Sequence, residues 1–251
     1  MMTYTTSEIA RKLGIHANTV RLYEDMNLIT KPERKANGYR IFTDLHMEQF
    51  QIGRLALQVE VLQNGLRKQA VEIIKEAARC EFEKAIERTH DYLNRIQEER
   101  ENAEEAIRIV DQMISGKDVI EHELCLTRKE MADYLHVTID TLRNWELNGL
   151  LTVKRKKNGY RVYTEEDLRL LVIIKSLRCA NYSLASILRM LSVLSSDPQA
   201  DIRDAIDNAQ SSEDMITACD SLLTSLNHAE TNAREILTRL FRIQKEYIKN
   251  D

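Results

Sequence analysis

The side chains best placed to do chemistry in this sequence are arginines that recur in fixed company. Arg21 stands in Thr19-Val20-Arg21-Leu22-Tyr23-Glu24, and Arg143 stands in Thr141-Leu142-Arg143-Asn144-Trp145-Glu146, 122 positions later. Arg40 and Arg161 close two copies of Asn-Gly-Tyr-Arg, at 37–40 and 158–161. A guanidinium on a helix facing a nucleic-acid groove can bind guanine through two hydrogen bonds, and one at the root of a loop can neutralise a phosphate. Lys31, Arg34 and Lys35 lie near the first set, and Lys154, Arg155, Lys156 and Lys157 near the second; elsewhere such a run is usually just a solvated face. Catalysis has no comparable support. The six histidines are scattered, and there is no nucleophile elbow, phosphate loop or pair of acids in an apolar setting, so neither an enzyme nor a cofactor is expected.

The elements that must position these arginines are themselves duplicated. Residues from Thr5 onward return from Thr127 onward at an offset of 122, which drops to 121 before the glycine of Asn-Gly-Tyr-Arg. A period that long marks a duplicated domain and not a solenoid. Thr5-x-x-Glu8 and Thr127-x-x-Glu130 are capping boxes, each opening a short helix with one apolar face (Ile9 and Leu13; Met131 and Leu135). A tight turn follows at 14–16 or 136–138, then a second helix carrying Val20 and Tyr23, or Leu142 and Trp145. Two short helices so joined form a helix-turn-helix, whose second helix commonly enters the major groove. Next, 28–29 is expected to pair with 39–42, and 150–153 with 160–163, as a hairpin with a basic turn, which is a wing. Thr43 and Thr164 then read as N-caps of a third helix.

Charge follows the same alternation. The net −4 is the sum of +3 over residues 1–75, −7 over 76–123, +5 over 124–195 and −5 over 196–251. The duplicated segments are the basic ones, which suits a polyanion. The longest aliphatic run, 170–174, is far too short to cross a bilayer, and the first residues form no secretory signal, so a cytoplasmic, nucleoid-associated protein without a membrane partner is expected. Cys80, Cys125, Cys179 and Cys219 are far apart, suggesting neither a zinc ribbon nor a disulfide framework, and they read as reduced and buried. With two prolines and seven glycines the fold should be mainly α.

Both copies resemble the winged-helix DNA-binding domain of the MerR family of bacterial transcription regulators. Residues 3–65 and 125–194 carry the likeness through the repeated motifs above; the turn before the family's fourth helix is matched by Ala180-Asn181-Tyr182-Ser183, and copy one departs from it at 58–65. The resemblance implies double-stranded DNA as ligand, RNA polymerase as partner, and promoter activation by bending and untwisting a spacer that is too long. It places Arg21 and Arg143 on recognition helices and brings Tyr23, Arg40, Trp145 and Arg161 toward phosphates; the alternative for Tyr23 and Trp145 is a core aromatic. The candidate DNA contacts are then Asn18, Thr19, Arg21, Tyr23, Lys35, Tyr39 and Arg40 in copy one, with Asp140, Thr141, Arg143, Trp145, Lys156, Lys157, Tyr160 and Arg161 in copy two. Because His16-Ala17-Asn18 and Thr138-Ile139-Asp140 differ, the half-sites need not be palindromic.

A long heptad helix is expected after each copy. Ile86, Thr89, Leu93, Ile96, Arg100, Ala103, Ile107, Val110 and Ile114 form one stripe, and Cys219, Leu222, Leu226, Ala229, Ala233, Ile236, Leu240, Ile243 and Tyr247 the other. Four domains result: a winged helix-turn-helix at 1–75, a helix and linker at 76–123, a second winged helix-turn-helix at 124–195, and an insertion with a C-terminal helix at 196–251. MerR-like proteins pair such helices between protomers as an antiparallel coiled coil. Here one chain supplies both, and the link at 115–124, reaching at most about 33 Å, suffices for a monomeric pseudo-dimer. The competing arrangement is a homodimer through the coiled coil. The insertion should hold a short helix at 202–209 and a Ser211-x-x-Asp214 cap. His122, Cys125 and Cys219 could approach a metal in the antiparallel arrangement, but a lone His-x-x-Cys spacing is weak evidence and no metal site is expected. The rival functional reading is an architectural or excisionase-like DNA-bending protein with little sequence choice.

Overall fold

The computed structural model describes residues 2–58, 65–115, 125–155, 159, 161–207 and 221–248. It is mainly helical and divides into two compact units, Met1–Glu98 with Ser225–Asp251, and Glu99–Thr224. Among the described residues no helix is long and apolar enough to cross a membrane.

The first unit opens with β1 (Thr3–Tyr4), α1 (Thr6–Leu13) and α2 (Ala17–Asp25), followed by β2 (Glu33–Arg34), β3 (Arg40–Thr43), α3 (Asp44–Leu57) and α4 (Leu66–Ala78). Thr5 caps α1 as its sequence requires, with its backbone N–H donating to Glu8 Oε2 at 2.8 Å and the Glu8 N–H returning to Thr5 Oγ1. The chain leaves α1 through Gly14 at φ 64, and the matching turn in the second unit is made by His136 at φ 50. A left-handed residue is therefore needed at both turns, and only one copy uses the residue that adopts it without strain. Ile9, Val20, Phe42, Phe50 and Ile52 are fully buried, and the Phe50 ring lies 5.2 Å from Tyr23 and 5.9 Å from Phe42.

The hairpin differs from expectation. Residues 28–29 are not a strand: β3 pairs with β2 through Arg34↔Arg40 and Glu33↔Ile41, and on its other side with β1 through Tyr4↔Phe42. The reason is that the backbone there is already committed, the Leu28 N–H donating to Tyr23 O at 2.8 Å to close α2 and the Thr30 N–H donating to Gln49 Oε1 at 2.9 Å. The same correction applies at 150–153, where the Leu150 N–H closes the preceding helix on Trp145 O and the pairing falls at Arg155↔Arg161 and Leu126↔Tyr163.

The second unit contains α6 (Arg128–Tyr134), α7 (Ile139–Leu147), α8 (Glu165–Cys179), α9 (Leu184–Ser196) and α10 (Ile202–Asp207). Thr127 and Thr164 both cap as expected, each in a capping box, whereas at the start of α3 it is the Thr43 backbone N–H that donates to His46 Nδ1, at 3.0 Å, with His46 in the acidic residue's place. Tyr163, Tyr182, Leu142, Leu171 and Met190 form its core, and Tyr182 stands directly before Ser183, the N-cap of α9. Asp207, at the end of α10, accepts from the N–H groups of Leu223 and Thr224 at 2.8 and 3.1 Å, so one purpose of the insertion is to cap the helix that follows. The stretch expected to be helical at 202–209 is helical to Asp207; the Ser211-x-x-Asp214 cap lies outside the described residues.

Two long helices, α5 (Phe82–Ser115) and α11 (Leu222–Ile248), each contribute to both units. On α11, Leu226, Ala229, Ala233, Ile236, Leu240 and Ile243 are buried in the expected register. On α5 the register is turned. Thr89, Ile96, Ala103, Ile107 and Val110 are buried as expected, but Ala85, Tyr92, Glu99 and Ala106 complete the stripe, while Ile86, Leu93 and Arg100 are half-buried and Ile114 is 40% exposed. The cysteines also differ from expectation: Cys80 is half-buried, and Cys125 and Cys179 are exposed.

Candidate nucleic-acid interface

The second helix of each copy turns one face inward and one outward. In α2, Val20 and Tyr23 are buried while Asn18 and Arg21 are exposed; in α7, Leu142 and Trp145 are buried while Asp140 and Arg143 are exposed. Thr19 and Thr141 lie half-buried between the faces. The aromatic pair therefore takes the packing alternative, with Tyr23 keeping 7% and Trp145 5% of their surface. Burial pushes the Tyr23 hydroxyl above its ordinary pKa. Gly53 of α3 admits this ring: a Cβ there would stand 2.7 Å from Tyr23 Cε1.

The outward faces are ordered by different caps. His16 Nδ1 accepts from the Asn18 N–H at 3.2 Å, and Asn18 Oδ1 accepts from Arg21 Nη1 at 2.8 Å, so copy one holds its arginine to the helix. In copy two Thr138 Oγ1 accepts from the Thr141 N–H at 3.0 Å. The wing of copy one is closed by the Lys35 N–H donating to Tyr39 O and the Gly38 N–H donating to Lys35 O, both at 2.8 Å. Gly38 has φ 81 and Gly159 φ 83, the conformation a tight turn needs and a side chain resists. Lys35 is exposed and Tyr39 is 71% exposed at this tip. Lys156, Lys157 and Tyr160 of the second wing lie outside the described residues.

The second helix of each copy is also fastened to its wing by a glutamate that the motif contains but whose part the sequence did not reveal. Glu24 pairs with Arg40 at the wing root and with Arg34 at 3.1 Å, both across the β2–β3 ladder. Glu146 pairs with Arg161 Nε at 2.6 Å and with Arg128 Nη2 at 2.6 Å, and accepts from the Tyr163 hydroxyl. Burial opposes ionisation of both carboxyls, but the hydrogen bonds and charges of their arginine partners outweigh it and hold each below the ordinary carboxylate value. Burial, then the bond to Glu146, pushes the Tyr163 hydroxyl up to about 12. The signal for these glutamates was their exact recurrence at the helix end in both copies.

Beside Glu146, a groove of about 480 Å³ is lined by Arg128, Arg143, Arg155 and Arg161. Among the described residues no three metal-binding side chains converge; Cys125 is exposed, and His122 and Cys219 lie outside those residues.

Two copies of a helix-turn-helix with a basic wing define a chain with two winged-helix modules. The model of the MerR HTH family regulatory protein matches residues 126–194, and that of the MerR family regulatory protein matches residues 5–42. The chain therefore carries two MerR-type domains, one in each copy. Similar curated proteins include the HTH-type transcriptional regulator CueR of Salmonella typhi, 40% identical over 53 residues, which are 21% of this chain and 38% of that protein. The HTH-type transcriptional regulator ZntR of Escherichia coli is 38% identical over 65 residues, 26% of this chain and 46% of its own length. The mercuric resistance operon regulatory protein of Bacillus cereus is 27% identical over 79 residues, 32% of this chain and 60% of its own. The chain thus spans about two fifths of the length of the CueR relatives it matches. No solved structure matches.

Proposed function

We propose that this protein is a sequence-specific double-stranded DNA-binding transcription regulator that uses two non-identical recognition helices within one chain. The observation that carries the reading is the repeated constellation itself. In each copy an exposed arginine, Arg21 or Arg143, stands on a helix whose inner face is packed, beside a basic wing fixed to that helix by Glu24 or Glu146. Such a helix can enter the major groove while the wing lies along phosphates. Asn18, Thr19, Lys35, Tyr39 and Arg40, with Asp140, Thr141, Lys156, Lys157, Tyr160 and Arg161, are the remaining candidate contacts, and Tyr23 and Trp145 hold the helices in place.

The two modules act together as a pseudo-dimer. Two observations support this, one from each unit. Within the first, α11 is bound to α3 of module one: Arg239 Nη1 reaches Glu48 at 2.9 Å, Arg242 reaches it at 2.6 Å, and Asn232 Nδ2 donates to Leu55 O at 3.2 Å. Within the second, the distal part of α5 enters the core of module two through Ala103, Ala106, Ile107 and Val110, and Asn181 Nδ2 donates to Glu99 at 2.8 Å. The helix that follows each module therefore serves the other one, as in an antiparallel pair. Half-sites about one helical turn apart (roughly 34 Å) or a multiple of it would be addressed on one DNA face. Bending or untwisting the promoter between them costs a few kcal/mol, offset by contacts at both ends, and RNA polymerase is the partner that gains from the changed spacing.

Genome-wide occupancy followed by competition binding tests the reading. A regulator prefers its site over random duplex by about a thousandfold or more, whereas an architectural DNA bender prefers it far less. A small ratio would replace the proposed function with the architectural one.

A further inference from the structure

Arg128 lies in no motif that identified the candidate DNA contacts, yet it occupies a defined place in the second module. It is the first residue of α6, directly after the Thr127 cap. Its Nη2 donates to both oxygens of Glu146, at 2.7 and 2.6 Å, and its Nε lies 3.2 Å from Glu146 Oε1 and 3.3 Å from the Tyr163 hydroxyl. No described residue accepts from its Nη1, and the side chain lines the groove shared with Arg143, Arg155 and Arg161. Four guanidinium groups line that groove and two of them, Arg128 and Arg161, pair with its one carboxylate, so the groove carries a surplus of positive charge even with Glu146 ionised. Fixed guanidinium donors around such a surplus suit the two non-bridging oxygens of a phosphodiester, which share one negative charge.

Module one lacks this arrangement for a reason legible in the repeat. The residue corresponding to Arg128 is Thr6, and the one corresponding to Tyr163 is Phe42. Glu24 is shared there by Arg34 and Arg40, and Arg21 is tied to Asn18. We infer that Arg128 is a DNA phosphate-binding residue peculiar to the second module, held in place by Glu146, and that it makes the two modules unequal in their electrostatic grip on the duplex. This rests on the DNA-binding reading above and adds a contact to it.

The test is the salt dependence of binding by the full chain to a random-sequence DNA duplex. Each phosphate contact contributes about 0.9 to the slope of log K against log salt. Arg128→Gln is expected to flatten that slope by about 0.9 and to weaken binding to all sequences alike. The double variant Arg128→Gln/Glu146→Gln should remain flattened, because the phosphate partner is still missing. Recovery of the wild-type slope in the double variant would mean that Arg128 only neutralises Glu146, and would overturn the assignment, as would an unchanged slope in Arg128→Gln. Should these variants melt before they can be titrated, Thr6→Arg places the same side chain at the first turn of α1 beside Glu24. A steeper slope by a similar increment supports the inference and an unchanged one counts against it. Absence of salt-dependent binding by the wild-type chain would instead remove the DNA-binding reading itself.

Discussion

At the scale of single residues, the candidate interface separates exposed side chains proposed to read bases from the side chains that hold them in place. Arg143 is exposed on α7 and free of the intrahelical bond to Asn18 that restrains Arg21 in α2. Replacing Arg143 by alanine is expected to cost roughly 1–3 kcal/mol at one half-site and to relax choice at one base pair. Titration against duplexes differing at that half-site measures it, and an equal loss on every sequence would exclude base readout. Glu146 is a holder, and its state depends on pH. Its folded carboxyl titrates below the ordinary 4.5, so the stabilisation it supplies is complete above that value and is lost as pH falls through the lowered folded one. Thermal melts from about pH 6 to about pH 3 should therefore show wild type losing stability more steeply than Glu146→Gln. Parallel losses would mean that its arginine partners do not stabilise the ionised form. The arginines were legible in the sequence because their motif repeats; the carboxylates were not, because Glu24 lies 16 residues from Arg40 and only folding brings them into contact.

At the scale of elements, caps and packing decide whether a recognition helix is held in register. Thr138 supplies the first hydrogen bond of α7, and Thr138→Ala should cost about 1 kcal/mol and lower affinity at the half-site of module two, with the other half-site unchanged. Footprinting of each half-site separates the two outcomes. In module one, Gly53→Ala would press a methyl group on the Tyr23 ring, where 2.7 Å is too close for either atom to stay put. The expected cost is about 1–3 kcal/mol, read as a fall in melting temperature of several degrees. An unaltered melt would mean that the ring yields without loss. The caps and the helix-turn-helix were readable from local sequence because a capping box closes within four residues. The faces of α5 were not. Apolar spacing picks out Ile86 and Leu93, whereas the fold buries Ala85, Tyr92 and Glu99, because the neighbour that covers the helix sets its rotation and Asn181 is there to bind Glu99.

At the scale of the whole molecule, the division of each long helix between two compact units bears on assembly. In the proposed pseudo-dimer, α11 against module one and distal α5 against module two are both supplied by the same chain. With both filled from within, sedimentation at micromolar concentration should return a single species near the chain mass of 29.2 kDa. A stable dimer there would refute the simple pseudo-dimer and favour four modules joined through paired coiled coils.

The sequence by itself determined the duplication, the two helix-turn-helix units, their caps, and the outward arginines, since all of these rest on local periodicity or on one copy repeating the other. It also showed where the copies differ, at 18 and 140 and at 6 and 128. Only the tertiary structure decided that Tyr23 and Trp145 belong to the core, that Glu24 and Glu146 fasten the wings, and that Asp207 caps α11. Those outcomes depend on groups far apart in the chain. Their energies come from desolvation and charge pairing in a shared environment, and no spacing along one dimension encodes which groups will share it.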